Sequence, residues 1–146
     1  MLSKIETNSF VGEFAFSLVN ELTTLHPIRP KTTKTKYSIQ PVGLATFGDK
    51  TKKVGYFLPE HGRLRMDMDF PCGRFSPIEF CAQFNIPYRG VCMPRTKTDF
   101  SKSGIYYRCD STKFHTFVFV FYEADLRGET GSRIREMLST ILRESV

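Results

Sequence analysis

Residues 114–122 read FHTFVFVFY and contain the longest apolar run of the chain. Apolar side chains occupy both alternating faces of this segment, which is typical of a central strand buried on both sides. Upstream, residues 63–70 read RLRMDMDF. Apolar and charged residues alternate there, so the segment predicts a half-buried strand with one wet face. That face would carry Arg63, Arg65, Asp67 and Asp69.

Both ends of the chain have the spacing of amphipathic helices. The first apolar stripe consists of Phe10, Phe14, Leu18 and Leu22. Asn8 or Ser9 can cap the start of this helix, and Pro27 lies beyond its end. The second stripe follows a start signal at residues 130–132 and consists of Ile134, Met137, Leu138, Ile141 and Leu142.

The middle of the chain predicts several strands and one short helix. The sequence from Ser76 to Glu79 reads SPIE, a capping box with proline at the first helical position, and the helix should run to about Phe84. Weaker strand signals cover residues 37–47, 53–58, 89–93 and 104–109. Since Lys113 closes a short turn, the last of these strands is expected to pair with residues 114–122 as a hairpin.

These elements predict one α+β domain over residues 1–146. Its core is a mainly antiparallel sheet or a partly open barrel, with an N-terminal helix, a short internal helix and a C-terminal helix. Residues 104–144, a very apolar strand followed by an amphipathic helix, loosely resemble the ending of PH/PTB-like domains. Such a resemblance implies an adaptor fold and does not decide function.

Charge is unevenly distributed along the chain. The formal net charge is +6, of which residues 28–113 carry +9 and the two ends together −3. Three turn-like segments combine lysine with threonine, at residues 30–36, 48–53 and 94–102. Lysines neutralise phosphates and threonine hydroxyls donate to phosphate oxygens, although such segments are also ordinary solvated turns.

The charge pattern therefore favours a non-enzymatic protein that binds an anionic partner, with RNA or single-stranded nucleic acid preferred. Tyrosines near these segments are expected to stack on bases. The candidate stacking residues are Tyr56, Tyr106 and Tyr107. The candidate phosphate-binding residues are Lys31, Lys34, Lys36, Lys50, Lys52, Lys53, Arg95, Lys97 and Lys102. An anionic lipid headgroup would suit the same lysines.

A protein–protein adaptor or a homo-oligomerising subunit is the alternative, with an acidic protein surface or a second copy as partner. The chain has 14 phenylalanines, and Phe57, Phe75 and Phe100 lie in or beside loop-like stretches, where exposed aromatic rings would mark an interface. The segment Pro27-Ile-Arg-Pro30 also fits a docking motif, although a proline-bounded exit from the first helix explains it equally well.

No motif names a reaction, a metal or a cofactor. The cysteines at positions 72, 81, 92 and 109 lack the short spacing of a zinc knuckle. A cysteine–histidine pair has only the arginines near Cys72 and Cys92 in its favour, namely Arg74, Arg89 and Arg95, and no oxyanion loop. Asp67 and Asp69 could form an acid–base pair, but they are expected to balance Arg63 and Arg65 or to meet a basic neighbouring strand. Hence we expect no enzyme activity, no metal and no cofactor.

The sequence also indicates where the protein works. The first 27 residues do not form a signal peptide, and the longest apolar run has six residues, whereas a membrane-spanning helix needs about 20. We therefore expect an intracellular protein of the cytoplasm or nucleus, in a reducing compartment where its four cysteines are free thiols.

Overall fold

The computed structural model describes residues 9–42, 54–92, 100–109 and 113–145. In chain order, the helices and strands are α1 (Phe10–Leu25), β1 (Ile28–Thr32), β2 (Tyr37–Pro41), β3 (Gly55–Glu60), β4 (Arg63–Pro71), α2 (Pro77–Gln83), β5 (Tyr88–Val91), β6 (Gly104–Arg108), β7 (Phe114–Tyr122), α3 (Glu123–Leu126) and α4 (Glu129–Ser145). The described strands form one open sheet in the order β1-β2-β3-β4-β7-β6-β5. This confirms the α+β class with a mainly antiparallel sheet.

Strand β7 lies inside the sheet, as its double-sided apolar pattern predicts. It pairs antiparallel with β4 from Pro71↔Phe114 to Arg63↔Tyr122, and with β6 from Gly104↔Val120 to Arg108↔Thr116. The expected pairing of the last two strands is thus confirmed. The β5–β6 pair is parallel, which the number of residues between the two strands is sufficient to allow.

The helices pack on one face of the sheet. The side chain of Ser9 caps α1 by accepting a hydrogen bond from the Gly12 amide at 3.0 Å. The apolar stripes of α1 and α4 lie in the same buried cluster as one set of alternating strand residues. That set consists of Tyr37, Ile39, Phe57, Leu64, Met66, Met68, Phe70, Ile105, Phe117, Phe119 and Phe121. We call this side of the sheet the helix side.

Two elements were not predicted from the sequence. Strand β1 contains the last three residues of the Pro27-Ile-Arg-Pro30 segment. Ile28 is 4% exposed, and the strand pairs with β2 from Ile28↔Pro41 to Thr32↔Tyr37. Proline is tolerated here because β1 is an edge strand. The second is the single turn α3 before α4. At α2, Ser76 is the N-cap residue, but its side chain makes no capping hydrogen bond.

The structure also bears on the expected strand over residues 37–47. Strand β2 ends at Pro41, and residues 43–53 lie outside the described part of the chain. Among the described helices, none has the length and apolar content needed to cross a bilayer.

A hydrogen bond of 2.7 Å between the His26 Nε2 and the Ser139 Oγ joins the end of α1 to α4. Burial, followed by the positive charge of Arg143, lowers the pKa of His26. Below about pH 6.5, His26 therefore binds a proton more readily in the unfolded chain than in the folded protein. The free energy of unfolding should fall as the pH falls through that range. In urea unfolding at about pH 7.5 and pH 5, wild type should lose more stability than His26→Gln. Equal losses in both proteins would refute this.

Candidate functional site

The face of the sheet opposite the helices carries most of the charged strand residues. We call it the polar face. Strand alternation and register place on it Arg29 and Lys31 of β1, Ser38 and Gln40 of β2, Tyr56, Leu58 and Glu60 of β3, Arg63, Arg65, Asp67 and Asp69 of β4, Tyr106 and Arg108 of β6, and Thr116, Val118, Val120 and Tyr122 of β7.

An ion-pair network lies at the centre of the polar face. The carboxylate of Asp67 lies 3.3 Å from Arg65 Nε and 3.3 Å from Arg108 Nη1. Thr116 donates a hydrogen bond of 2.6 Å to Asp69 and accepts one of 3.4 Å from Arg108. Arg108 reaches Asp67 across β7, because β7 separates β6 from β4. The network thus ties three adjacent strands together.

The expectation that one face of β4 is solvated is wrong at Asp67, which is only 3% exposed. Val118 and Val120 are fully buried on the same face, in a second apolar cluster with Cys92 and Tyr106. Phe100 packs against this cluster. Asp67 nevertheless pairs with Arg65 of its own strand and with Arg108 of β6.

Tyr56 borders the ion-pair network and is half-buried. Burial raises the pKa of Tyr56, and the nearby Asp67 carboxylate raises it further, so its hydroxyl stays protonated at neutral pH. The ammonium of Lys36 lies 4.7 Å from the centroid of the Tyr56 ring. Lysine and tyrosine are therefore adjacent at this point, where the sheet meets solvent.

Exposed positive charge is concentrated at the β1–β2 end of the polar face. Arg29 and Lys31 are exposed on β1, and Lys34 is exposed in the turn that follows. The turn is closed by a hydrogen bond of 2.9 Å from the Thr33 amide to the Lys36 carbonyl. The sequence contains no Asp or Glu between Glu21 and Asp49, so this hairpin carries cations alone.

A second basic region lies at the β5–β6 end of the sheet. A cavity of about 400 Å³ is lined there by Tyr88, Arg89, Ser101, Lys102 and Tyr106. Arg89 Nε donates a hydrogen bond of 2.8 Å to the Ser103 carbonyl, and the Tyr106 hydroxyl donates one of 3.1 Å to the Lys102 carbonyl. Two cationic side chains and two tyrosines therefore line one concavity.

Gly104 allows Arg89 to adopt this position. A Cβ atom at Gly104 would lie 2.7 Å from Arg89 Cγ and 2.9 Å from the Pro87 carbonyl oxygen, and the residue has a φ of +151°. Any larger residue would push the Arg89 side chain away from Ser103. Glycine at this position therefore shapes the wall of the cavity.

Comparison of the chain with protein-family models, with curated protein sequences and with solved structures found no match in any of the three. The functional conclusion therefore depends on the chemistry of the site itself.

The structure describes only some of the residues that the sequence singled out. Lys31, Lys34 and Lys36 lie at one end of the sheet, and Lys102 lies at the other. The remaining basic candidates, Lys50, Lys52, Lys53, Arg95 and Lys97, lie outside the described residues. The described cations therefore border the sheet at two separate places.

The three candidate stacking tyrosines are placed differently. Tyr56 is on the polar face and half-buried, whereas Tyr106 is on that face but only 6% exposed. Tyr107 points to the helix side, where it packs against Phe70 and Phe117. Tyr56 and Tyr107 cannot contact one ligand strand on a common face, because their side chains lie on opposite faces of the sheet.

Sequence reasoning missed Arg29, Arg89 and Tyr122 as members of this surface. Tyr122 is 36% exposed at the end of β7, opposite Arg63 in register. Arg29 was missed because β1 was not recognised as a strand. Tyr122 follows the same alternation as Val118 and Val120. The two-residue period of β7 therefore indicated that Tyr122 shares a face with these two valines.

The aromatic residues that suggested an adaptor surface have other roles. Phe57 is fully buried and Phe75 is 8% exposed, both in the main core. Phe100 packs edge-on against Tyr106 with ring centroids 4.9 Å apart, beneath the guanidinium of Arg65. These contacts remove the reason for expecting Phe57 and Phe75 at an interface.

As for metals, no group of three or more His, Cys, Asp or Glu side chains in the described ranges is placed to hold an ion.

Proposed function

We propose that the protein binds single-stranded nucleic acid, with RNA preferred, through the polar face and without catalysing a reaction. One observation carries the proposal: exposed cations border both ends of a sheet face whose own central charges are already paired. The central arginines are held by Asp67. The hairpin residues Lys31 and Lys34 and the cavity residue Lys102 are exposed to solvent.

The dimensions of the face suit an extended strand. Strands β1 and β6 are five strand spacings apart in the sheet order, which corresponds to roughly 24 Å at about 4.8 Å per spacing. Single-strand binding domains contact about 4–16 nucleotides by tracking the phosphate backbone with basic side chains. A strand that crosses the sheet from the hairpin to the cavity would meet cations at both ends.

Aromatic and polar side chains favour a single strand over a duplex. Half-buried Tyr56 and exposed Tyr122 offer rings to unpaired bases, and a stacked base contributes about 1–3 kcal/mol. The amide of Gln40, which accepts a hydrogen bond of 3.5 Å from Arg29, has a donor and an acceptor for a ribose 2′-hydroxyl. That group distinguishes RNA from DNA.

Binding is tested by fluorescence anisotropy of a labelled oligouridine titrated with the full chain. Affinity should fall steeply with salt, because each phosphate contact releases counterions. The double variant Lys31→Ala/Lys36→Ala should weaken binding at low salt and reduce the slope of log K against log salt by up to about 0.7 per lysine.

The matched control is Lys113→Ala/Arg143→Ala, which removes the same charge at exposed positions outside the polar face. It should keep the wild-type salt slope. Equal losses in the two double variants would show that only net charge matters and would overturn the proposed surface. Binding of polyglutamate as tight as that of oligouridine would indicate an acidic protein partner instead. No binding at low salt would refute the proposal.

We also propose that the protein works inside the cell in a reducing compartment. All four cysteines are free thiols in the structure, Cys72 and Cys109 exposed and Cys81 and Cys92 buried. Exposed thiols persist where glutathione and thioredoxin keep them reduced.

A further inference from the structure

Cys72, His115 and Tyr107 meet at the end of the sheet where β4 ends and β7 begins. Cys72 directly follows β4, and its amide donates a hydrogen bond of 2.9 Å to the Lys113 carbonyl. The register pairs Phe70 with His115 and Pro71 with Phe114. Strand pairing therefore brings together a cysteine and a histidine that are 43 residues apart in the chain.

Both ring nitrogens of His115 have side-chain partners. Nε2 lies 3.3 Å from the Sγ of Cys72, and Nδ1 forms a hydrogen bond with the Tyr107 hydroxyl. The imidazole lies edge-on to the ring of Tyr107 at 5.2 Å and to that of Phe70 at 6.4 Å. These contacts fix the ring orientation, while Cys72 itself is exposed.

This arrangement allows a proton to move from sulfur to nitrogen. In the tautomer of His115 that carries its proton on Nδ1, the Cys72 thiol donates to Nε2, and Nδ1–H donates to the Tyr107 oxygen. Transfer of the thiol proton gives a thiolate beside an imidazolium. Burial, followed by the thiols of Cys109 and Cys72, raises the pKa of Tyr107. The phenol therefore stays neutral and accepts the Nδ1–H bond in both states.

Two cationic residues flank this pair in the sequence. Arg74 and Lys113 are exposed and lie within two residues of Cys72 and His115 respectively. Among the described residues, the other titratable groups near this end of the sheet include Tyr107, Tyr88, the thiol of Cys109 and the carboxylate of Asp69. Positive neighbours favour a thiolate over a thiol, and exposure gives a reagent access to it.

We propose that Cys72 is an activated thiol, with His115 as its base and Tyr107 as a positioning residue, that undergoes exchange with small organic disulfides of the glutathione class. The Cys72 thiolate attacks one sulfur of the disulfide, a new Cys72–sulfur bond forms, and the original sulfur–sulfur bond breaks. Cys72 is oxidised, and the departing sulfur of the disulfide is reduced to a thiolate, which takes the proton from His115. This reactivity is independent of nucleic-acid binding.

The other three thiols provide internal references. Burial raises the pKa of Cys81 to about 12. Burial also raises the pKa of Cys92. Both should therefore react slowly in the folded protein. Cys109 is exposed, like Cys72, so exposure alone would give Cys72 and Cys109 similar rates.

The experiment mixes the reduced full-length protein with a chromogenic aromatic disulfide in a stopped-flow spectrometer. Wild type should show one fast phase of one thiol equivalent. Cys72→Ser should abolish this phase, and the matched variant Cys109→Ser should keep it. Loss of the fast phase in Cys109→Ser with its retention in Cys72→Ser would overturn the proposal. Oxidised glutathione followed by peptide mass spectrometry should place the adduct on Cys72.

Two further variants separate activation from exposure. His115→Gln should slow the fast phase about threefold or more at pH 7, and by more at about pH 6, because the gain in thiolate is partly offset by lower nucleophilicity. Tyr107→Phe keeps the buried ring and should shift the rate–pH profile to higher pH. A rate unchanged in both folded variants would refute the roles of His115 and Tyr107.

Stability is monitored by circular dichroism and urea unfolding. If His115→Gln fails to fold, the activation of Cys72 is tested in the wild-type protein. The ratio of Cys72 to Cys109 labelling should then rise as the pH falls from about 8 to about 6. A ratio that does not change with pH would overturn the proposal.

Discussion

Replacement of Phe117 by alanine should lower the free energy of unfolding by about 3–5 kcal/mol. Phe117 is fully buried in the middle of β7. Its ring centroid lies 4.5 Å from that of Phe70, 5.7 Å from Phe80 and 5.9 Å from Tyr107. Truncation removes contacts to β4, α2 and β6 at once, and the fixed sheet backbone prevents those rings from filling the cavity.

Urea unfolding measures this loss, with Phe84→Ala as the matched control. Phe84 is half-buried at the end of α2 and contacts Phe80 at 5.1 Å. Phe84→Ala should lower the free energy of unfolding by about 1–2 kcal/mol, because part of the Phe84 ring already contacts water. Phe117→Leu, which keeps most of the volume, should cost less than Phe117→Ala. A Phe117→Ala loss no larger than that of Phe84→Ala would contradict the position assigned to β7.

The elements that the sequence predicted well are those with a strong period. The four-residue repeat from Phe10 to Leu22 and the two-residue repeat of residues 63–70 each identify a buried face, because burial of apolar area is the main driving force of folding. Strand β1 has no such signal. Two of its five residues are Pro30 and a lysine, Lys31, and only pairing with β2 at the sheet edge makes it a strand.

The burial of Asp67 could not be predicted from the sequence. The two-residue period places Asp67 and Asp69 on one face. It does not show which residues cover that face. The cover includes Phe100, which is distant in sequence, and Arg108 comes from a strand two places away in the sheet. Whether a carboxylate is wet or buried depends on such non-local contacts.

Reactive-site geometry was also beyond sequence reasoning. The cysteine–histidine pair was conceivable from composition, but which pair forms depends on the β4–β7 register. A shift of one residue would turn His115 to the polar face and away from Cys72. Similarly, Tyr107 was grouped with Tyr106 as a stacking residue, although strand alternation directs the two side chains to opposite faces.

Removal of the Asp67 charge should destabilise the fold by about 3 kcal/mol. Asp67 is the carboxylate that both Arg65 and Arg108 contact, and the two arginine side chains are only 19% and 13% exposed. In Asp67→Asn, two guanidinium groups would face each other in a poorly hydrated place with the carboxylate between them removed. Removing one partner of a buried pair costs about 3–5 kcal/mol, and the remaining exposure of the arginines puts this site at the lower end.

The matched control is Asp69→Asn, a neighbouring carboxylate on the same strand and face that is half-buried. It accepts a hydrogen bond of 2.6 Å from Thr116, and its loss should cost about 1–2 kcal/mol. Adding Arg108→Met to Asp67→Asn should recover part of the stability, since one of the two guanidinium charges is then replaced by an apolar chain.

The Asp67 variants also separate the stability of the polar face from its charge. Asp67→Asn removes a negative charge from that face. Binding of oligouridine by the folded variant should therefore be kept or strengthened, while the free energy of unfolding falls. The hairpin variant Lys31→Ala/Lys36→Ala should show the reverse: near wild-type stability and weakened binding. If Asp67→Asn unfolds as late in urea as Asp69→Asn, then Asp67 does not hold the two arginines. The paired centre of the polar face would then have to be abandoned, and with it the contrast between paired central and exposed peripheral charge on which the proposed binding surface rests.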